Sequence, residues 1–265
     1  MPFYPHEEPF PRRPMWQKIV ETGERPTLHD PVLVVALSTS NPQYRSLYSH
    51  ARELGEFMLR KMDFRKFATI YASALPPAIV ISDEGTARLV SASFYHFSGG
   101  RDVVLMVGDT SPTDEQYEFC DAVLGFAKRL GVVDLISIGT RWTEAVALPT
   151  FTPKVLGFAT DQRGVDELTG LGVTIIKDEP APFFASMVVA MAEAQGIRGY
   201  KLSVDHGEPI PHPKSLVELL LVLSKMLDFK VDAADLEASA KEMEANLKEE
   251  PAIDLPPPAR SGVYG

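Results

Sequence analysis

The chain has 265 residues, 45% of them hydrophobic and 23% charged, enough to bury a sizeable core. Its formal net charge of −10 counts against a nucleic-acid partner, which requires a clustered basic face. A single cysteine excludes an intrachain disulfide, and no run approaches the ~18 apolar residues of a membrane-spanning helix.

Residues 1–30 hold Pro2, Pro5, Pro9, Pro11, Pro14 and Pro26, with Phe3, Tyr4, Phe10 and Trp16 between them. Proline at that density forbids a long helix, so the segment reads as an extended arm across the domain or a neighbouring subunit. It lacks the apolar run of a secretion signal, and a cytoplasmic protein is expected. Val32–Leu37 is unbroken apolar sequence, the mark of a strand buried on both faces. Asn41 and Pro42 then supply a cap and a first helical residue. Tyr44, Leu47, Tyr48, Ala51, Leu54 and Met58 face one way along a helix to about Met62. A strand is expected over Phe67–Ala72. A hairpin follows, joining 78–81 to 87–94 across Gly85, a residue suited to positive φ.

Asp102–Gly139 reads as strand, helix, strand. Val103–Val107 is a second buried run, and Thr113 is placed to cap a helix with Gln116 three residues on. Tyr117, Cys120, Ala122, Val123, Leu124, Ala127 and Leu130 form the expected inward stripe, with Cys120 as a small core residue. Gly131 stops the helix and Val132–Ile138 is the next strand, which makes the unit a right-handed parallel crossover. Strands are then expected at Lys154–Thr160, Val173–Ile176 and Tyr200–Val204. Helices are expected at Gln162–Leu171, Pro182–Gln195, Pro213–Leu227 and from Asp232 to about Glu249. The last of these is acidic: eight carboxylates stand against Lys241 and Lys248 between Asp232 and Asp254.

Motifs for chemistry are sparse. No Gly-Lys-Ser/Thr follows a glycine-rich turn, no GxGxxG follows the first strand, and no GxSxG elbow is present. Ser38-Thr39-Ser40-Asn41 stands after the first strand, either as an anion-binding turn or as a plain capped one. His206 and His212 share a proline-rich loop with Asp205 and Glu208, a composition that solvation explains as well as metal binding, and no metal or cofactor is assigned. Asp109 lies at the carboxyl end of a parallel strand, where open α/β sheets place ligands, and Arg141 and Glu144 lie just beyond its partner. The three either form a polar pocket in which Arg141 meets a phosphate, or are loop residues that cap helices and pair with each other.

Gly108-Asp109 and its helix, Phe126-Ala127-Lys128-Arg129-Leu130-Gly131-Val132, and the strand ending at Gly139 resemble the proteasome assembly chaperone family, the group of the second eukaryotic assembly chaperone and its archaeal and bacterial relatives. Further likenesses are Gly196-Ile197-Arg198-Gly199-Tyr200 after an apolar helix, Pro213-Lys214-Ser215 opening a leucine-rich one, and Leu227-Asp228-Phe229-Lys230-Val231-Asp232 before the acidic one. The likeness covers about residues 31–247, and Ser38-Thr39-Ser40-Asn41 replaces the family's usual glycine-rich turn. It implies an α/β fold similar to nucleoside phosphorylases: a mostly parallel central sheet flanked by helices, with a C-terminal helical extension and no established enzymatic site. On that footing the chain divides into an arm (1–30), an α/β core (31–228), an acidic helix (229–250) and a proline-rich tail (251–265).

Archaeal members of that family form homo-oligomers, and some bind the proteasome core particle through a C-terminal hydrophobic–tyrosine–any-residue motif. Val263-Tyr264-Gly265 fits that pattern at all three positions. By carry-over, Tyr264 fills a pocket between α-ring subunits, Val263 packs beside it, and the terminal carboxylate meets a lysine. Pro251, Pro256, Pro257 and Pro258 favour a polyproline tether of about 3.1 Å per residue, a reach of ~40 Å. Leu236, Ala240, Met243 and Leu247 fall at 4-3-4 spacing and form either an oligomerisation seam or a face packed on its own domain. The expectation is a non-catalytic, homo-oligomeric proteasome-binding chaperone or ATP-independent activator. The alternative is a phosphorylase-like or other small-molecule enzyme with its site at the strand ends.

Overall fold

The computed structural model describes residues 15–37, 50–142, 152–206, 213–230, 234–238 and 241. The described chain opens with strands β1 (Gln17–Glu21) and β2 (Val32–Leu37), helix α1 (His50–Lys61) and strand β3 (Arg65–Ala72). Strands β4 (Ile79–Ile81), β5 (Ala87–Leu89), β6 (Ala92–Ser98) and β7 (Asp102–Gly108) follow. Helix α2 (Gln116–Arg129), β8 (Asp134–Trp142), β9 (Val155–Ala159), α3 (Gln162–Gly170) and β10 (Thr174–Ile175) come next, then α4 (Phe184–Ala194), β11 (Arg198–His206) and α5 (Pro213–Leu227). Residues 234–238 are helical.

Nine strands form one sheet in the order β1-β3-β6-β7-β2-β8-β11-β9-β10. The middle of it, β7-β2-β8-β11, is parallel, as the unbroken apolar runs require. Both flanks turn antiparallel, at β6 against β7 and at β9 against β11. The crossover from β7 through α2 to β8 is present, with β2 inserted between its two strands and bonded to both. Each face of the sheet carries its own core. Leu33, Val35, Phe67, Phe94, Phe119, Phe126 and Phe184 lie on the side covered by α2 and α4. Val32, Val34, Leu54, Met58, Leu105, Leu219 and Leu223 lie on the side covered by α1 and α5. Phe126 sits at the middle of the first core, edge-on to Phe94 at 4.9 Å and stacked with Phe67 at 6.1 Å. Each such ring buried stabilises the fold by roughly 1.5–3 kcal/mol.

Four local expectations are revised. Gln17–Glu21, read as part of an arm, is a strand on the sheet's edge, paired antiparallel with β3. The second arm of the hairpin stops at Leu89; the chain bends at Val90-Ser91, and Ala92–Ser98 enters the main sheet as a separate strand. Thr113 does not cap α2. Its amide is held by the Ala74 carbonyl at 3.0 Å, which pins the loop three residues ahead of Gln116, and Glu115 enters α2 with φ 46° and no side-chain cap. Tyr117 is exposed, because it lies two residues, and so about 200° around the helix, from the inward Phe119.

Among the described residues no helix is long and apolar enough to cross a membrane. Gly85 has φ +81° and closes the β4–β5 hairpin, as its place in the turn demands.

Candidate functional site at the carboxyl ends of the strands

The register of β6 and β7 puts Ala92 opposite Gly108, so Ser91 and Asp109 meet one step further on. They exchange bonds there: the Asp109 amide donates to the Ser91 carbonyl and the Ser91 amide to Asp109 Oδ2, both at 3.1 Å. The rest of the Asp109 carboxylate is taken by Arg88 of the hairpin, whose Nη1 and Nη2 donate to Oδ2 and Oδ1 at 2.5 and 2.7 Å. Burial alone would push this carboxyl up, but the Arg88 and Ser91 hydrogen bonds outweigh it and hold it below the usual carboxylate range. Asp109 is therefore a buried, ionised anchor.

Arg141 has a different partner. Its Nε and Nη2 reach Asp205 Oδ1 on β11 at 3.2 and 3.1 Å. Asp205 is in turn tied to α5, since Ser215 Oγ donates to its carbonyl at 3.1 Å. The structure thus places Asp109 and Arg141 in two separate ion pairs, and Glu144 lies outside the described residues. The hydroxyl-rich turn 38–41, His212 and the tripeptide Val263-Tyr264-Gly265 are also outside them. Of the proposed seam, Leu236 is buried against the α1 and α5 core of its own domain, while Ala240, Met243 and Leu247 are not described.

Beside Asp109, α1 and the strands β3 and β6 frame a polar groove of about 210 Å³ with Arg52, Lys66, Tyr71, Ser93 and Tyr95 on its walls. Burial pushes the Tyr95 phenol up, which makes it a hydrogen-bonding group at neutral pH and not a base. The groove can hold a small polar ligand, but its described walls present no activated nucleophile.

The sequence reading missed a polar ladder that runs up β8 and β11. Register pairs Ser137 with Lys201, Gly139 with Ser203 and Arg141 with Asp205 on the face covered by α4. Lys201 is buried, and burial lowers its ammonium pKa to about 7. The amine makes one long bond, to the Leu202 carbonyl at 3.5 Å. It occupies space that Gly139 leaves open: a Cβ on Gly139 would lie 2.1 Å from Nζ. Ser137 Oγ is buried with no hydrogen-bond partner among the described residues. A lysine inside the run Tyr200–Val204 was the visible signal, since a strand buried on both faces has no ordinary place for one.

A second charged network closes the opposite end of the sheet. Asp134 takes Arg101 and, at 3.8 Å, Arg198; Arg198 also donates to Asp161 at 2.9 Å, and the Tyr200 hydroxyl donates to Glu167. Arg101, Asp134, Glu167, Arg198 and Tyr200 line a cavity of about 400 Å³ together with Ile136, Leu171 and Met226, and each arginine named already has a carboxylate. Among the described residues no three His, Cys, Asp or Glu side chains are grouped to hold a metal. Cys120 is buried and its thiol is pushed up to about 12 by burial, so it is a core residue.

The profile of the PAC2 family matches residues 51–250. Among solved structures, PbaB of Pyrococcus furiosus, described as an archaeal proteasome activator, superposes with a TM-score of 0.72 at 21% identity, covering 88% of this chain and 98% of that one. PbaA of the same organism, described as an archaeal homologue of proteasome-assembly chaperone, gives 0.69 at 18% identity over 89% and 91%. A proteasome-assembly chaperone homologue from Mycobacterium tuberculosis gives 0.68 at 22% identity over 84% and 97%. At these identities the structural likenesses establish the fold.

Proposed function

The chain belongs to the PAC2 family, and from that premise we propose that it is a non-catalytic, homo-oligomeric partner of the proteasome core particle, acting as a chaperone or as an ATP-independent activator. The observation that carries this reading is the family match joined to Val263-Tyr264-Gly265, the hydrophobic–tyrosine–any-residue pattern, within the same sequence. The likeness to PbaB, a proteasome activator, and to PbaA and the mycobacterial protein, homologues of proteasome-assembly chaperone, supports it.

The strand ends support it from the other direction. A small-molecule enzyme of this architecture would gather its reactive groups there. Asp109 and Arg141 are instead each spent on a structural pair. In the proposed mode Tyr264 is the anchor of the contact with the α-ring and Val263 packs beside it. One such anchor is weak, and its repetition around an oligomer would raise the avidity by a factor of about 10²–10⁴.

The test is co-sedimentation with cognate core particle, using the full chain, a Tyr264→Ala variant and a chain lacking residues 263–265. The reading expects binding by the first and its loss in the other two. Binding that survives in both variants removes the tail from the contact but keeps the partner. No binding by the full chain removes the partner.

A further inference from the structure

An apolar groove of about 530 Å³ lies between the start of β1 and the β4–β5 hairpin, with Trp16, Tyr71, Leu75, Pro76, Ile79 and Leu89 on its walls. Trp16, Ile79 and Leu89 are more than half exposed. Ile79 and Leu89 are opposite partners in the hairpin and Ile81 is two residues along, so all three share one face. Arg88 belongs to the other face, where its bond to Asp109 fixes the hairpin and turns the aliphatic side outward. Large apolar side chains grouped at a surface mark a place where something docks.

We propose that the occupant is the chain's own segment 2–11, seated in this groove in cis. This inference is independent of the proteasome reading. Trp16 is a wall of the groove, and only residues 12–15 separate it from the segment. The direction of the chain also favours it. β1 runs antiparallel to β3 with Gln17 opposite Ala72, and Trp16 extends the pairing to Ser73: the Ser73 amide donates to the Trp16 carbonyl at 2.8 Å, and the Trp16 amide to Ser73 Oγ at 3.1 Å. Chain running back from Trp16 is therefore aimed along the residues that follow Ser73, which are the groove walls Leu75, Pro76 and Pro77.

Composition completes the match. Pro2, Pro5, Pro9 and Pro11 favour a polyproline conformation, and Phe3, Tyr4 and Phe10 supply side chains for apolar pockets. Grooves lined by aromatic rings are the general solution for binding such segments, because little conformational entropy is lost. Ten residues at about 3.1 Å each span ~30 Å. A linker of four residues keeps the effective concentration high enough for a modest apolar contact to hold.

Trp16 and Trp142 are the two tryptophans, so a Trp142→Phe chain reports on Trp16 alone. Acrylamide quenching of Trp16 is expected to rise by roughly twofold when residues 2–11 are removed, as the ring loses its packing partners. The same rise is expected in Phe3→Ser/Phe10→Ser and in Ile79→Ser/Leu89→Ser. Amide hydrogen exchange over residues 78–90 needs no tryptophan substitution, and it should quicken in the truncated chain. Quenching and exchange that are both unchanged by truncation overturn the proposal. Quenching of the untruncated chain that rises on dilution assigns the groove to a second copy and overturns the cis assignment.

Discussion

Arg88 holds Asp109 with both ends of its guanidinium, at 2.5 and 2.7 Å, and this one pair fastens a two-stranded hairpin to the carboxyl end of a central strand. The carboxylate that occupies the usual ligand position of an open α/β sheet is thereby a structural fixture. Asp109→Asn should cost about 1–3 kcal/mol, since a buried, charge-assisted pair is replaced by an amide that satisfies fewer donors. Hydrogen exchange at Ile79–Leu89 should quicken more than elsewhere. The pH dependence has a definite sign. The folded carboxyl lies below its ordinary value, so its stabilisation is full above about pH 4 and is lost as pH falls below that. The variant should lack that acid-side loss, which urea titrations from pH 5 down would read.

Lys201 should also make stability rise with pH, but at the alkaline end and as a burial cost that is relieved there. Its folded pKa of about 7 lies below the ordinary lysine value of about 10.4, so between these values the unfolded chain binds the extra proton. Stability from this group therefore rises with pH from about 7 to about 10 and is least below 7. Lys201→Met removes the desolvation cost. The variant should be more stable than the parent at pH 7, and that advantage should shrink towards pH 10. Parallel stability curves would refute the assignment.

Gly139→Ala tests the space beside that amine. The new methyl would overlap Nζ of a buried lysine, whose amine would have to shift to make room. The expected cost is about 1–3 kcal/mol. Combined with Lys201→Ala the cost of the methyl should largely vanish, a coupling that a double-mutant cycle measures. Additive losses would place the strain elsewhere.

Cys120 offers a check on core integrity. A thiol pushed up to about 12 and shielded under α2 presents almost no thiolate at pH 8. Labelling of the native chain by a thiol reagent should be slow and should accelerate only under conditions that unfold it.

Much of the fold was legible because the central strands are buried on both faces. Val32–Leu37 and Val103–Val107 declare themselves as unbroken apolar runs and coincide with β2 and β7. Helix α5 was equally plain, from Pro213 at its start to Leu227. What failed depended on contacts remote in sequence. Gln17–Glu21 shows no apolar run, since an edge strand buries little, and proline nearby masked it. The entry to α2 is set by Ala74, some forty residues earlier, and no local capping rule anticipates that. Asp109 and Arg141 stand apart for a related reason: each found an opposite charge on a strand or hairpin that chain order does not place beside it. Lys201 is visible in the sequence as a single lysine in an apolar run, but only its surroundings in the fold give it meaning.

The two ends of the nine-stranded sheet carry a final consequence. One ends in β10, only two residues long; the other ends in β1, where Lys18 and Glu21 are charged and Glu21 is paired with Arg25. A short edge and a charged edge are both poor templates for adding another strand. Copies of this chain are therefore not expected to polymerise by extending one sheet from molecule to molecule. Any assembly they form is left to side-chain surfaces, and the symmetry of that contact decides whether it closes into a counted particle.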